Sequence, residues 1–179
     1  MDAIALLKKY YDEGSELYSL LLRHSQMVGE KALEVAQKHP EWEIDKEFLY
    51  EAALLHDIGV YLTDAPRIHC FGKEPYVSHG YLGADILRRE GFEKHALVCE
   101  RHTGSGLTME DVLNNQLDLP WQDFLPVSLE EKIICFADKF YSKGRPDEVR
   151  TITQIRQTIS RYGWEALQRW DDLVKLFLG

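Results

Sequence analysis

Apolar residues recur at intervals of three and four along nearly the whole chain, and nowhere is there a sustained alternation of β-branched residues. That period gathers side chains on one face of a helix, whereas a half-buried strand needs a period of two. The expected fold is therefore all-α, a bundle of about seven or more helices. With 179 residues, 45% of them hydrophobic, there is enough apolar material for one sizeable core. No internal repeat, low-complexity tract or linker divides the chain, so residues 1–179 are expected to form a single domain.

Boundary signals place the helices. Leu6, Leu7, Tyr10 and Tyr11 suggest an opening helix that stops near Gly14. From Ser15 to Lys38 the buried stripe runs through Leu21, His24, Val28, Ala32, Val35 and Ala36, which puts His24 on the apolar face. Asp45 reads as the N-cap of a helix that carries Leu55 and His56 and is stopped by Gly59 after Asp57-Ile58. The stretch from Val60 to Val77, with Pro66, Gly72 and Pro75, reads as an irregular loop that could cover a pocket. Ser78 is expected to cap a helix through Arg89, and another runs from about Glu93 to His102. Gly104 to Val127 is a second excursion with a short helix near Met109 to Leu113. Ser128-Leu-Glu-Glu131 forms a capping box ahead of a mainly buried helix interrupted by Asp138. After the break at Gly144, Arg145 and Pro146, helices near Val149–Arg161 and Trp164–Leu178 are expected as scaffold, leaving a functional core at 15–145.

Charge and cysteine usage remove several classes of function. Thirty acidic against 21 basic residues give a net charge of −9, which repels a long nucleic acid. Asp2, Lys8, Lys9, Asp12, Glu13 and Glu16 interrupt the first twenty residues too often for a signal peptide or membrane span, so a soluble, cytoplasmic protein is expected. Cys70, Cys99 and Cys135 form no Cys-x-x-Cys pair and are expected to pack as small apolar residues. His39 and His95 read as surface residues; Trp164, Trp170 and Phe177 fit the core or a contact between copies of the chain.

The remaining histidines form a set. His24, the adjacent His56 and Asp57, His79, His102 and Asp138 lie on separate predicted helices or helix ends, each close to a buried face. Taken singly, each is an ordinary core residue satisfied by one hydrogen bond. Together they are two acids and four imidazoles in need of partners, and a shared metal site satisfies all of them. Mixed nitrogen and oxygen donors suit iron, manganese, cobalt, nickel or zinc better than magnesium or calcium. Cations bridged by one carboxylate lower the pKa of a bound water and neutralise charge developing on phosphorus.

The ordered series His, His-Asp, His, His, Asp, with Leu-Leu-His-Asp-Ile-Gly at its centre and Ala-Asp-Lys near its end, resembles the HD superfamily of metal-dependent phosphohydrolases, specifically its His-Asp-Ile-Gly branch. The resemblance implies one metal held by His24, His56, Asp57 and Asp138, and a second held by His79 and His102 and bridged to the first by Asp57. It also implies catalytic roles for His56 and Asp57. Ser-His79-Gly and Arg-His102-Thr-Gly are similar to segments of the bacterial two-metal HD hydrolases that cleave dinucleoside polyphosphates, although Gly104 stands where those have a second threonine. Relatives often place a lysine or arginine after the central glycine, whereas this chain has Val60.

The function expected from this reading is hydrolysis of a small phosphate ester or anhydride, a nucleotide by preference, with two divalent transition metal ions. Lys139, Lys143 and Arg145 follow Asp138 and are candidates to meet phosphate oxygens. Arg67, His69 and Lys73 are weaker candidates on the first long loop. Two alternatives stay open: a non-catalytic nucleotide-sensing or partner-binding module, and a di-iron oxygenase of the same fold.

Overall fold

A computed structural model describes residues 1–179. Nine α-helices follow one another as α1 (Ala3–Tyr10), α2 (Glu16–Lys38), α3 (Lys46–Leu55), α4 (His79–Arg89), α5 (Glu93–Arg101), α6 (Met109–Asn114), α7 (Leu129–Asp138), α8 (Ile152–Ile159) and α9 (Trp164–Leu178). The expected all-α class is what the chain adopts. No helix is long and apolar enough to cross a membrane.

The starts of the helices follow the side-chain caps read from sequence. Ser15, Asp45 and Ser128 each accept a hydrogen bond from the amide of the third residue onward, satisfying a donor that has no partner inside the helix. The box at Ser128 closes only on one side, because the Glu131 carboxylate accepts from Val127 N and pairs with Arg101 instead. Ser78 does not cap α4: its hydroxyl donates to the Asp118 carbonyl, and a 3₁₀ turn at Tyr76–Ser78 leads directly into the helix.

Sequence periodicity overlooked two short hairpins. β1 (Asp64–Ala65) pairs antiparallel with β2 (Cys70–Phe71) inside the first long loop, and β3 (Tyr141–Ser142) with β4 (Arg145–Val149) after α7. Strands of this length contain too few alternations to register as a period. Val149 accordingly ends a strand, and α8 begins after Thr151, whose capping box with Gln154 fixes the start. His95 is buried rather than at the surface, packed between Phe48 and Phe92 with Glu51 3.5 Å from its ring nitrogen. Trp170 and Phe177 are core residues, while Trp164 is exposed. All three cysteines are free and buried.

Apolar side chains collect in two clusters. One joins the second half of α2 with α3, α7, α8 and α9 through Val28, Ala52, Phe136, Ile155 and Trp170. The other joins α1, the first half of α2, the end of α3, α4 and α5 through Leu7, Leu21, Leu55, Leu87 and Cys99. His24 lies on α2 between Leu21 of one cluster and Val28 of the other, so the polar residues sit at the seam.

Close approach of α4 to the end of α3 depends on Gly59. Its φ is −84°, and it is not the helix stop expected from sequence, because α3 has already ended at Leu55. A Cβ at this position would lie 2.3 Å from the His79 carbonyl oxygen and 2.5 Å from the Gly83 nitrogen, both backbone atoms that cannot swing aside. Gly59→Ala is therefore expected to destabilise the protein by about 1–3 kcal/mol and to displace His79, measured by thermal denaturation. An unchanged melting temperature would contradict this packing.

Candidate metal centre

Each of the six polar residues is delivered by the end or the inner face of a helix. His56 follows the last residue of α3 and His102 the last of α5; His79 opens α4; Asp138 closes α7; His24 projects from the middle of α2. Asp57 occupies the turn after His56. The structure brings all six together: two groups, His24–His56–Asp57–Asp138 and Asp57–His79–His102, each have ligand atoms within 4.8 Å of one another, and Asp57 belongs to both.

One Asp57 oxygen, Oδ2, lies 3.2 Å from His24 Nε2 and 2.9 Å from His56 Nε2. The other, Oδ1, lies 3.2 Å from His79 Nε2 and 3.5 Å from His102 Nε2. Asp138 Oδ1 completes the first group at 3.0 Å from His24 Nε2 and 3.5 Å from His56 Nε2. His56 and Asp57 are 0% exposed, and the other four lie between 2% and 8%.

Three of the imidazoles are oriented by the same device. Nδ1 of His56, His79 and His102 lies 2.6, 2.6 and 2.7 Å from the carbonyl oxygen three residues earlier, on Ala53, Tyr76 and Cys99. A carbonyl only accepts, so Nδ1 carries the proton and each Nε2 turns inward. For His56 and His102 the partner carbonyl belongs to the last turn of a helix, where carbonyls lack amide donors. Tyr76 stacks on the His79 ring at a centroid distance of 4.7 Å and fixes its plane.

The electrostatics show a buried centre in which two carboxylates are held ionised by neighbouring basic groups. Burial opposes ionisation of Asp57, yet His56, Lys143, His102 and His24 together hold its carboxyl well below the usual range. Burial likewise opposes ionisation of Asp138, and Lys139, His24 and His56 hold it low. Burial would keep His56 neutral, but Asp57 and Asp138 push it up to about 9. Burial lowers His102 to about 4, so at neutral pH it is a lone-pair donor. His102 Nε2 nevertheless faces His79 Nε2 at 3.0 Å, and two bare lone pairs at that distance need a positive charge to share. His56 Nε2 and both Asp57 oxygens are buried and make no hydrogen bond. These unpartnered atoms, and a donor set of imidazole and carboxylate, fit divalent metal binding.

Lys143 approaches closest of the basic residues. The β3–β4 hairpin turns it back so that Nζ lies 2.5 Å from Asp57 Oδ2 and 3.4 Å from His24 Nε2. Burial opposes its charge, but Asp57, Tyr76 and Asp138 raise its pKa far above the ordinary lysine value. Lys139 Nζ is held 2.6 Å from Asp138 Oδ2 and donates to the His102 carbonyl at 3.2 Å. Both line a cleft of about 290 Å³ that opens over Asp138, His79 and His102. Arg145 lies in an adjoining groove, whereas Arg67 and Lys73 are exposed and line neither space. His69 pairs with Glu16 at 3.0 Å. Of the first long loop only Tyr76 reaches this cleft.

Val60 is 0% exposed and packs in the second cluster, away from the cleft lining, while Lys143 brings positive charge to Asp57. Sequence reading also missed Tyr76 and Arg150. Tyr76 precedes His79 by the same three residues that separate the other two imidazoles from their carbonyl partners, a spacing visible only once the pattern is known. The segment expected as scaffold contributes Ile155, Thr158 and Ile159 to the cleft wall.

A family model described as HD domain matches residues 21–142, a span that contains all six residues. An uncharacterized protein of Methanocaldococcus jannaschii is 40% identical over 139 residues, 76% of this chain and 71% of that protein. The tRNA (cytidine(56)-2'-O)-methyltransferases of Picrophilus torridus and Thermoplasma volcanium are 31% and 32% identical over 144 and 168 residues. The alignments cover 80% and 93% of this chain but 36% and 43% of the methyltransferases, so the chain spans less than half the length of either. No solved structure gives a significant match.

Proposed function

Because the chain belongs to the HD domain family, we propose that it hydrolyses a small phosphate ester or anhydride, a nucleotide by preference, at a centre that holds two divalent transition metal ions. The observation that carries this reading is the sharing of Asp57: one oxygen serves His24 and His56 while the other serves His79 and His102. His24, His56, Asp57 and Asp138 would hold one ion, and Asp57, His79 and His102 the other. Bound there, such ions supply Lewis acidity at phosphorus and a nucleophilic hydroxide at neutral pH.

The chain's own residues supply the rest. Carbonyl-anchored imidazoles keep the inward nitrogens in place without rearrangement. Lys139 and Lys143, which line the cleft, would hold phosphate oxygens and offset their charge.

The test is turnover. Protein reconstituted with manganese, iron or cobalt is expected to release phosphate or a nucleotide from at least one member of a panel of nucleoside mono-, di- and triphosphates, dinucleoside polyphosphates and cyclic dinucleotides, and to stop when chelator is added. Binding of a panel member without cleavage would replace this reading with a sensing or partner-binding module. Product formation only in the presence of oxygen would replace it with oxygenase chemistry.

A further inference from the structure

Both lysines of the centre fall on one of its two ligand groups. Lys143 Nζ lies 2.5 Å from Asp57 Oδ2 and 3.4 Å from His24 Nε2, two donor atoms of the His24–His56–Asp57–Asp138 group. Lys139 Nζ lies 2.6 Å from Asp138 Oδ2 in the same group. The other group has no such neighbour: Asp57 Oδ1 faces the ring nitrogens of His79 and His102.

The two lysines are not equivalent. Lys139 takes the outer oxygen of Asp138, while Oδ1 faces His24 and His56, and a second hydrogen bond to the His102 carbonyl ties its ammonium down. It can stay in place with an ion beside Oδ1. Lys143 touches the inward atoms themselves. An imidazole nitrogen has one lone pair, so His24 Nε2 can face an ammonium or bind a metal ion, and not both.

The surroundings decide where a displaced Lys143 would go. Between the β3–β4 hairpin and α2, against His24, Met27 and Pro146, only about 10 Å³ is open. That is scarcely room for one water, and too little for an ammonium group and its stem. On the other side Lys143 lines the cleft of about 290 Å³. There the Tyr76 ring, its centroid 5.9 Å from Nζ, offers an aromatic face that attracts a cation. The flexible four-carbon stem of a lysine allows the move.

We infer that Lys143 is a tethered cation that competes with a metal ion for Asp57 Oδ2 and His24 Nε2, and that metal loading of this group drives its ammonium out toward Tyr76 and the cleft. The inference rests on the two-ion reading above. It makes Lys143 an interlock: the ammonium is free to hold a phosphate oxygen only in protein whose centre is loaded. In metal-free protein the same ammonium is spent on Asp57.

The experiment labels lysines with N-hydroxysuccinimidyl acetate in metal-free and manganese-loaded protein and follows each site by mass spectrometry. The Lys143 side chain is 9% exposed against Asp57, so loading is expected to speed its acetylation by at least about fivefold, while Lys139 changes by less than about twofold. Manganese affinity by calorimetry gives an independent readout. K143M, with no ammonium to expel, should bind manganese at least about tenfold tighter than the unaltered protein, and K139M by about threefold or less. The labelling needs no variant, so it decides the matter even if K143M folds poorly without metal. Lys143 acetylation that manganese leaves unchanged or slows overturns the inference, as does equal tightening in K143M and K139M, which would reflect general charge. Either result with manganese bound leaves the two-ion reading standing. Protein that binds no manganese, iron or cobalt overturns that reading as well, and turnover enters neither measurement.

Discussion

Replacing Asp57 with alanine is expected to lower turnover by at least about a thousandfold and to strip the protein of metal. No other residue belongs to both ligand groups: its two oxygens lie within 3.5 Å of the Nε2 atoms of His24, His56, His79 and His102. Both oxygens are buried, and in metal-free protein their charge is offset by His56 and by Lys143 beside Oδ2. Asp57→Asn is the sharper control, because it keeps the shape while removing the charge and adding a donor against inward lone pairs. Metal content by mass spectrometry and turnover should fall together in both variants. Full metal content in D57N would show that the carboxylate is not what holds the ions.

Lys143→Met should separate stability from metal binding. In metal-free protein Lys143 is the nearest counter-charge to Asp57, at 2.5 Å and largely buried. Breaking such a pair from one side leaves a buried carboxylate without compensation, at a cost of about 3–5 kcal/mol, or roughly 6–20 °C in melting temperature for a chain of this size. Metal loading should restore most of that loss, because the cations then supply the charge that Asp57 lacks. In D57N/K143M the metal-free protein should recover much of the stability lost in K143M, since neither buried charge remains. Turnover of metal-loaded K143M should still fall, by about a hundredfold, because the cleft loses a phosphate-binding group. Equal melting temperatures for metal-free K143M and the unaltered protein would mean that the ion pair carries no weight.

Much of the architecture was legible because helices advertise themselves through a long period and through capping side chains. Ser15, Asp45 and Ser128 cap as their side chains predict, and His24 falls on the buried stripe of α2. The six-residue set was legible for a different reason: each member broke an apolar pattern at a helix end or inner face, where an ionisable group needs a partner. What stayed hidden depends on contacts between segments distant in sequence. Gly59 reads as a helix stop, and only the neighbouring backbone of His79 and Gly83 shows that it is a close-packing residue. Ser78 reads as a cap, and only the position of Asp118 diverts its hydroxyl. Lys143 and Arg67 look alike in the sequence, two basic residues in polar stretches; a hairpin of a few residues turns the first into the centre and leaves the second exposed. His95 looks like a surface histidine beside Lys94 until α5 is packed against Phe48.

The most direct measurement is anomalous X-ray scattering from crystals of metal-reconstituted protein, with data collected on either side of the metal's absorption edge. The account predicts two peaks, one among His24, His56, Asp57 and Asp138 and one among Asp57, His79 and His102. Fully reconstituted crystals with no peak beside Asp57, or with metal bound only elsewhere on the chain, would contradict it.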